Sequence, residues 1–116
     1  MLSQERCPLD LWTSATGRTA VVTPRGELDI ARTHDLRRCL YEVGSATTLV
    51  LVDLQHVTFL DSSILGVLVG GVKRCTARGT QLMIVNAAGI PLKALTLTGL
   101  THLLPEADRK AAAQRS

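Results

Sequence analysis

The sequence predicts one α/β domain on a mixed, mostly parallel sheet, and three observations carry that prediction. Segments of strand character alternate with segments of helical spacing along nearly the whole chain. The run Thr48-Leu49-Val50-Leu51-Val52-Asp53-Leu54 is apolar on both faces, as a strand in the middle of a covered sheet is. Glycine stands just after each helical segment, at Gly44, Gly79 and Gly99, where a left-handed terminus is expected. The 116 residues suffice for one such domain and are too few for two.

Leu9 to Ala15 alternates roughly and predicts a first, edge-like strand. Thr16-Gly17-Arg18 reads as a hairpin turn, with Gly17 free to take positive φ, and Thr19 to Thr23 as the returning strand. Pro24 cannot donate to a ladder, so the strand ends or bulges there, and Arg25 to Asp29 reads as an exit loop. Ala31 to Val43 repeats apolar residues at Leu36, Cys39, Leu40 and Val43, which is helical spacing; Thr33 or Asp29 caps it and Gly44 stops it. After the apolar strand comes a second helix, Ser63 to Arg78, and then a strand, Gln81 to Asn86. Pro91 suits a first helical turn, so Ile90 to Thr98 is read as a third helix. Thr101 to Leu104 is read as a last short strand, and the polar, Ala-rich stretch after Pro105 as a frayed helix or a loose tail. Since the first strands look like an edge hairpin, helices are expected mainly on one face. Residues 1–8 are assigned to an N-terminal extension, 9–104 to the domain and 105–116 to the tail.

Composition narrows the function. The only aromatics are Trp12, Tyr41 and Phe59, so the core is aliphatic and no base-stacking platform exists for single-stranded nucleic acid. The net charge of +3 is spread over helical segments and the tail without a run of like charges, which reads as solvated helix faces rather than a nucleic-acid patch. Cys7, Cys39 and Cys75 show no zinc or Cys-x-x-Cys spacing and are read as free thiols, the latter two packing as small hydrophobes. No apolar run approaches the ~20 residues that span a bilayer, and there is no signal-peptide core, so a cytoplasmic protein is expected. No metal or cofactor site is expected, and no catalytic residue is assigned. Neither glycine-rich phosphate motif is present, no Gly-x-Ser-x-Gly elbow surrounds the serines, and His34, His56 and His102 are isolated.

The most informative stretch is Phe59-Leu60-Asp61-Ser62-Ser63, at the switch from strand to helix. A hydroxyl pair there lies near the free backbone N–H groups of a helix start, which suit either plain capping or a phosphate. In the helix that follows, Ile64, Leu68, Val72 and Cys75 form the stripe expected to face the sheet, while Leu65, Val67 and Val69 lie off it. A helix apolar almost all round is buried on two sides or docks on a partner. Gly66, Gly70 and Gly71 each cost about 1 kcal/mol in a helix against alanine, and their concentration suggests close approach by other backbone.

Val52-Asp53-Leu54, a short loop, and then Phe59-Leu60-Asp61-Ser62-Ser63-Ile64-Leu65-Gly66-Val67-Leu68 resembles the signature of anti-sigma factor antagonists of the STAS domain family. Gly26-Glu27-Leu28-Asp29 resembles a second signature of that family. The resemblance spans roughly residues 9–104. It implies a mixed sheet of four or five strands with helices largely on one side, and a partner-switching cycle. In that cycle the unmodified antagonist binds an anti-sigma factor that is also a GHKL-type serine kinase, which frees a sigma factor. Phosphorylation by the kinase ends the binding, and a PP2C-type phosphatase restores it. The resemblance implies that the phosphorylated residue is Ser62, with Ser63 the minor candidate. A partner surface is expected to include Glu27, Asp29, Asp61, Ser62, Ser63, Leu65 and Val69. The family usually has glycine after the hydroxyl pair, where this chain has Ile64. That departure supports an alternative in which the domain is an unphosphorylated scaffold subunit of a signalling complex or transporter. The protein is expected to be a monomer or weak dimer with no nucleic-acid or membrane partner.

Overall fold

A hairpin opens the fold because Gly17, at φ +76°, supplies the left-handed residue that the turn requires. The computed structural model describes residues 9–43 and 46–115; Cys7, Gly44 and the N-terminal extension lie outside them. β1 (Asp10–Thr13) pairs antiparallel with β2 (Thr19–Thr23). β4 (Leu49–Asp53) adds parallel to β2, and β6 (Gln81–Val85) parallel to β4, giving the order β1-β2-β4-β6. Between them in sequence lie β3 (Arg25–Leu28), α1 (Thr33–Tyr41), β5 (His56–Leu60) and α2 (Ser62–Ala77). α3 (Gly89–Leu97) and α4 (Glu106–Arg115) complete the chain.

Alternation places Ala20, Val22, Val50, Val52, Leu82 and Ile84 on one face of the sheet, all buried. Against them pack Ile64, Leu68 and Cys75 of α2 and Leu36, Cys39 and Leu40 of α1. The opposite row of Val21, Leu51 and Met83 is half-buried and ends on Trp12, 58% exposed. β4 is thus the central strand that its apolar run predicts, but only one of its faces is fully covered.

Several expectations need correction. Residues 25–28 form a strand, not an exit loop. β3 pairs parallel with β5 in a separate two-stranded sheet, and the register shifts between Gly26 and Glu27, with Gly26 at φ +79°. The stretch between Leu54 and Phe59, read as loop, therefore also supplies strand residues. Residues 101–103 form a 3-10 turn rather than a strand. Thr33 does not cap α1; Asp29 caps a 3-10 turn at Ile30–Arg32 that precedes it. Cys39 is disulfide-bonded rather than free, whereas Cys75 is a buried free thiol. Burial raises the Cys75 pKa.

The α2 glycines divide in an unexpected way. A Cβ on Gly71 would come within 2.7 Å of the Leu40 side chain, so the close approach is by a side chain of α1, not by backbone. A Cβ on Gly66 or Gly70 would meet nothing within 4 Å. Gly66→Ala and Gly70→Ala are each expected to raise stability by about 0.5–1 kcal/mol, seen as a Tm rise of about 2–4 °C. Gly71→Ala is expected to gain less than either, because the Leu40 side chain must shift to admit the new methyl group. Thermal denaturation of the three variants checks the contrast.

Candidate functional site

The N-terminus of α2 is built by one carboxylate. Asp61 leaves β5 in extended conformation, and its side chain accepts hydrogen bonds from the backbone N–H of Ser63 at 3.0 Å and of Ile64 at 3.3 Å. This is the N-cap arrangement, in which a short acidic side chain satisfies helix donors that have no internal partner. The Ser63 hydroxyl donates to the same oxygen, and the Ile30 backbone N–H is oriented to favour the ionised carboxyl. The Asp61 backbone N–H in turn donates to the Leu28 carbonyl at 3.2 Å. The Ser63 hydroxyl, foremost, and the three backbone donors hold the Asp61 carboxyl below the usual aspartate pKa against partial desolvation.

The parallel β3–β5 register brings the two signature stretches together. Glu27 stands opposite Phe59 and Leu28 opposite Leu60, so the residues after Leu28 arrive beside Asp61. Asp29 is half-buried and accepts from the Ala31 N–H at 3.0 Å, and Glu27 is exposed. Ile30, 71% exposed, projects next to the α2 start. Sequence reasoning did not single out Ile30. Its signal was the apolar residue directly after Asp29, in a stretch read as loop leading into a helix.

The two serines differ. Ser62, the first residue of α2, is exposed, and no hydrogen bond engages its hydroxyl among the described residues. Ser63 is half-buried and committed to Asp61. Ile64 is fully buried, so the residue standing where the resemblance leads one to expect glycine faces the core. Leu65 is also buried, 7% exposed, and presents little surface to any partner; Val69 is half-buried. The site is therefore a small exposed hydroxyl on a rigid, acid-capped helix start, flanked by Glu27, Asp29 and Ile30.

A family model, the STAS domain, matches residues 13–113. The chain belongs to the STAS domain family. The unphosphorylated form of the anti-sigma factor antagonist SpoIIAA aligns with a TM-score of 0.70 at 20% identity, over 93% of this chain and 97% of that one. The phosphorylated form of the Bacillus cell fate determinant SpoIIAA aligns at 0.67 and 23%, over 92% and 97%. A sulfate transporter family protein from Wolinella succinogenes aligns at 0.68 and 15%, over 89% and 92%. At these identities the likeness is one of fold: a mixed α/β domain with a four-stranded mixed sheet. Among the described residues no helix is long and apolar enough to cross a membrane.

The cap has a pH signature. A carboxylate whose folded pKa lies below its unfolded value stabilises the fold above the unfolded pKa, and that contribution is lost as pH falls through the folded pKa. Asp61→Asn keeps the shape and loses the charge. The wild type is expected to lead Asp61→Asn in stability at neutral pH, with the gap closing as pH falls below about 3.8, the ordinary aspartate value. Urea unfolding of both proteins across acidic pH measures it.

Proposed function

We propose that the protein is an anti-sigma factor antagonist whose hold on an anti-sigma factor is released by phosphorylation of Ser62. The reading rests on the division between the serines: the Ser62 hydroxyl is exposed and outside the cap, while that of Ser63 is tied to Asp61. The partner is a cytoplasmic anti-sigma factor with GHKL-type serine kinase activity, and a PP2C-type phosphatase reverses the mark. Its docking surface takes in Glu27, Asp29, Asp61, Ser62 and Ser63, with Val69 at the margin. No catalysis by this chain is part of the cycle.

A phosphate on Ser62 adds about −1.5 to −2 charges at the first position of α2. The helix dipole favours an anion there by roughly 0.3–1 kcal/mol, so the fold survives the modification. A partner seated on the same surface meets a hydrated dianion beside Asp61 and near Glu27 and Asp29. Repulsion and desolvation of a few kcal/mol suffice for release, since each ~1.4 kcal/mol is tenfold in affinity.

A second reading, an unphosphorylated scaffold domain, draws on the likeness to the Wolinella sulfate transporter family protein. Ile64 lends it little, because a fully buried side chain does not alter the surface that a kinase meets. Incubation with each GHKL-type serine kinase of the source genome and ATP, followed by intact-mass analysis, separates the two. One phosphoryl group is expected, lost in Ser62→Ala and retained in Ser63→Ala. Ser62→Ala is expected to bind the kinase and Ser62→Asp to fail. Wild-type affinity in Ser62→Asp, or no labelling by any kinase, contradicts the switch.

A further inference from the structure

The solvent-facing ridge of α2 runs from the switch hydroxyl onto bare backbone. Ser62, Gly66 and Gly70 are exposed at steps of four residues, and Lys73 and Arg74 continue the ridge. A rise of about 1.5 Å per residue sets Gly66 about 6 Å and Gly70 about 12 Å along the axis from Ser62. Nothing inside the domain uses the space that side chains at these two glycines would fill, whereas the neighbouring Gly71 is filled by Leu40. Beside the ridge a groove of about 160 Å³ opens between α1 and α2, with Leu40 and Val67 in its floor and Arg37 and Tyr41 in its wall. The Arg74 guanidinium lies 4.0 Å from the centre of the Tyr41 ring, and Tyr41 is 54% exposed. Arg37 is exposed and forms no ion pair among the described residues.

We propose that this groove seats an acidic helix of the regulator that Ser62 controls, an inference that rests on the function proposed above. Helix axes approach to 8–10 Å according to the side chains between them, and glycines on one side allow the close end of that range. Arg37 lines the seat and Arg74 lies over Tyr41 at its edge, and none of the lining residues is acidic. The complementary occupant carries carboxylates. Arg74, seated over the Tyr41 ring, supplies N–H donors for such a group. The same chemistry accounts for release. A phosphate on Ser62 stands at the head of the groove and repels an occupant that is itself acidic.

Titration of the purified GHKL-type serine kinases of the source genome onto wild type, Ser62→Asp, Gly70→Leu and Arg37→Glu tests the groove. Gly70→Leu is expected to lower affinity by about tenfold or more while leaving the Tm unchanged or raised, because leucine is the better helix former. Arg37→Glu, at an exposed position that the fold does not need, is expected to do the same and to flatten the salt dependence of binding. If Ser62→Asp releases a kinase that both groove variants bind as the wild type does, the groove is wrong and the switch stands. If no kinase binds the wild type, the switch fails and the groove with it.

Discussion

The Asp61 carboxylate is the constraint on which the rest of the site depends. It closes the N-terminus of α2 through Ser63 and Ile64, and the Ile30 N–H at the end of the other signature stretch favours its charge. Two segments about thirty residues apart in sequence, 26–30 and 59–63, therefore meet as one rigid unit. The unit has a backbone tie as well, from the Asp61 N–H to the Leu28 carbonyl. A helix start held in this way does not depend on the hydroxyl at its first position. Ser62 is left on the surface with no structural duty, which is the condition under which a covalent mark alters recognition and not folding.

Under the proposed function, stability and recognition fall to different residues of the same helix. Ile64, Leu68 and Cys75 hold α2 against the sheet, and Gly71 lets α1 come close. Ser62, Gly66, Gly70 and Lys73 face solvent and carry no part of that packing. The helix bears the cost of two glycines, about 1 kcal/mol each, on the face where the core gains nothing from them. That asymmetry is consistent with the binding surface proposed above.

Much of this was legible in the sequence because the signals were local. The apolar run at Thr48–Leu54 located the central strand, and Gly17, Gly79 and Gly99, all at positive φ, marked real turns and helix ends. The Asp61-Ser62-Ser63 triplet marked the switch from strand to helix and carried plain N-capping as one reading, and Asp61 is the cap. What was missed depended on long-range pairing. Residues 25–28, with Gly26 and exposed Glu27, have no strand signature of their own and become a strand only by pairing with β5. Leu65 looked available on a helical wheel, yet the domain closes over it. Thr101–Leu103 is too short for periodicity to distinguish a strand from a 3-10 turn.

The central claim is that charging Ser62 changes what the surface accepts and leaves the fold alone. Calorimetric titration of the cognate kinase onto homogeneous Ser62-phosphorylated protein and onto the unmodified protein, with thermal melts of both samples, addresses it most directly. The account predicts melts within a few degrees of each other and an affinity lower by about a hundredfold in the phosphorylated form. Equal affinities, or a phosphorylated chain that no longer melts cooperatively, would contradict it.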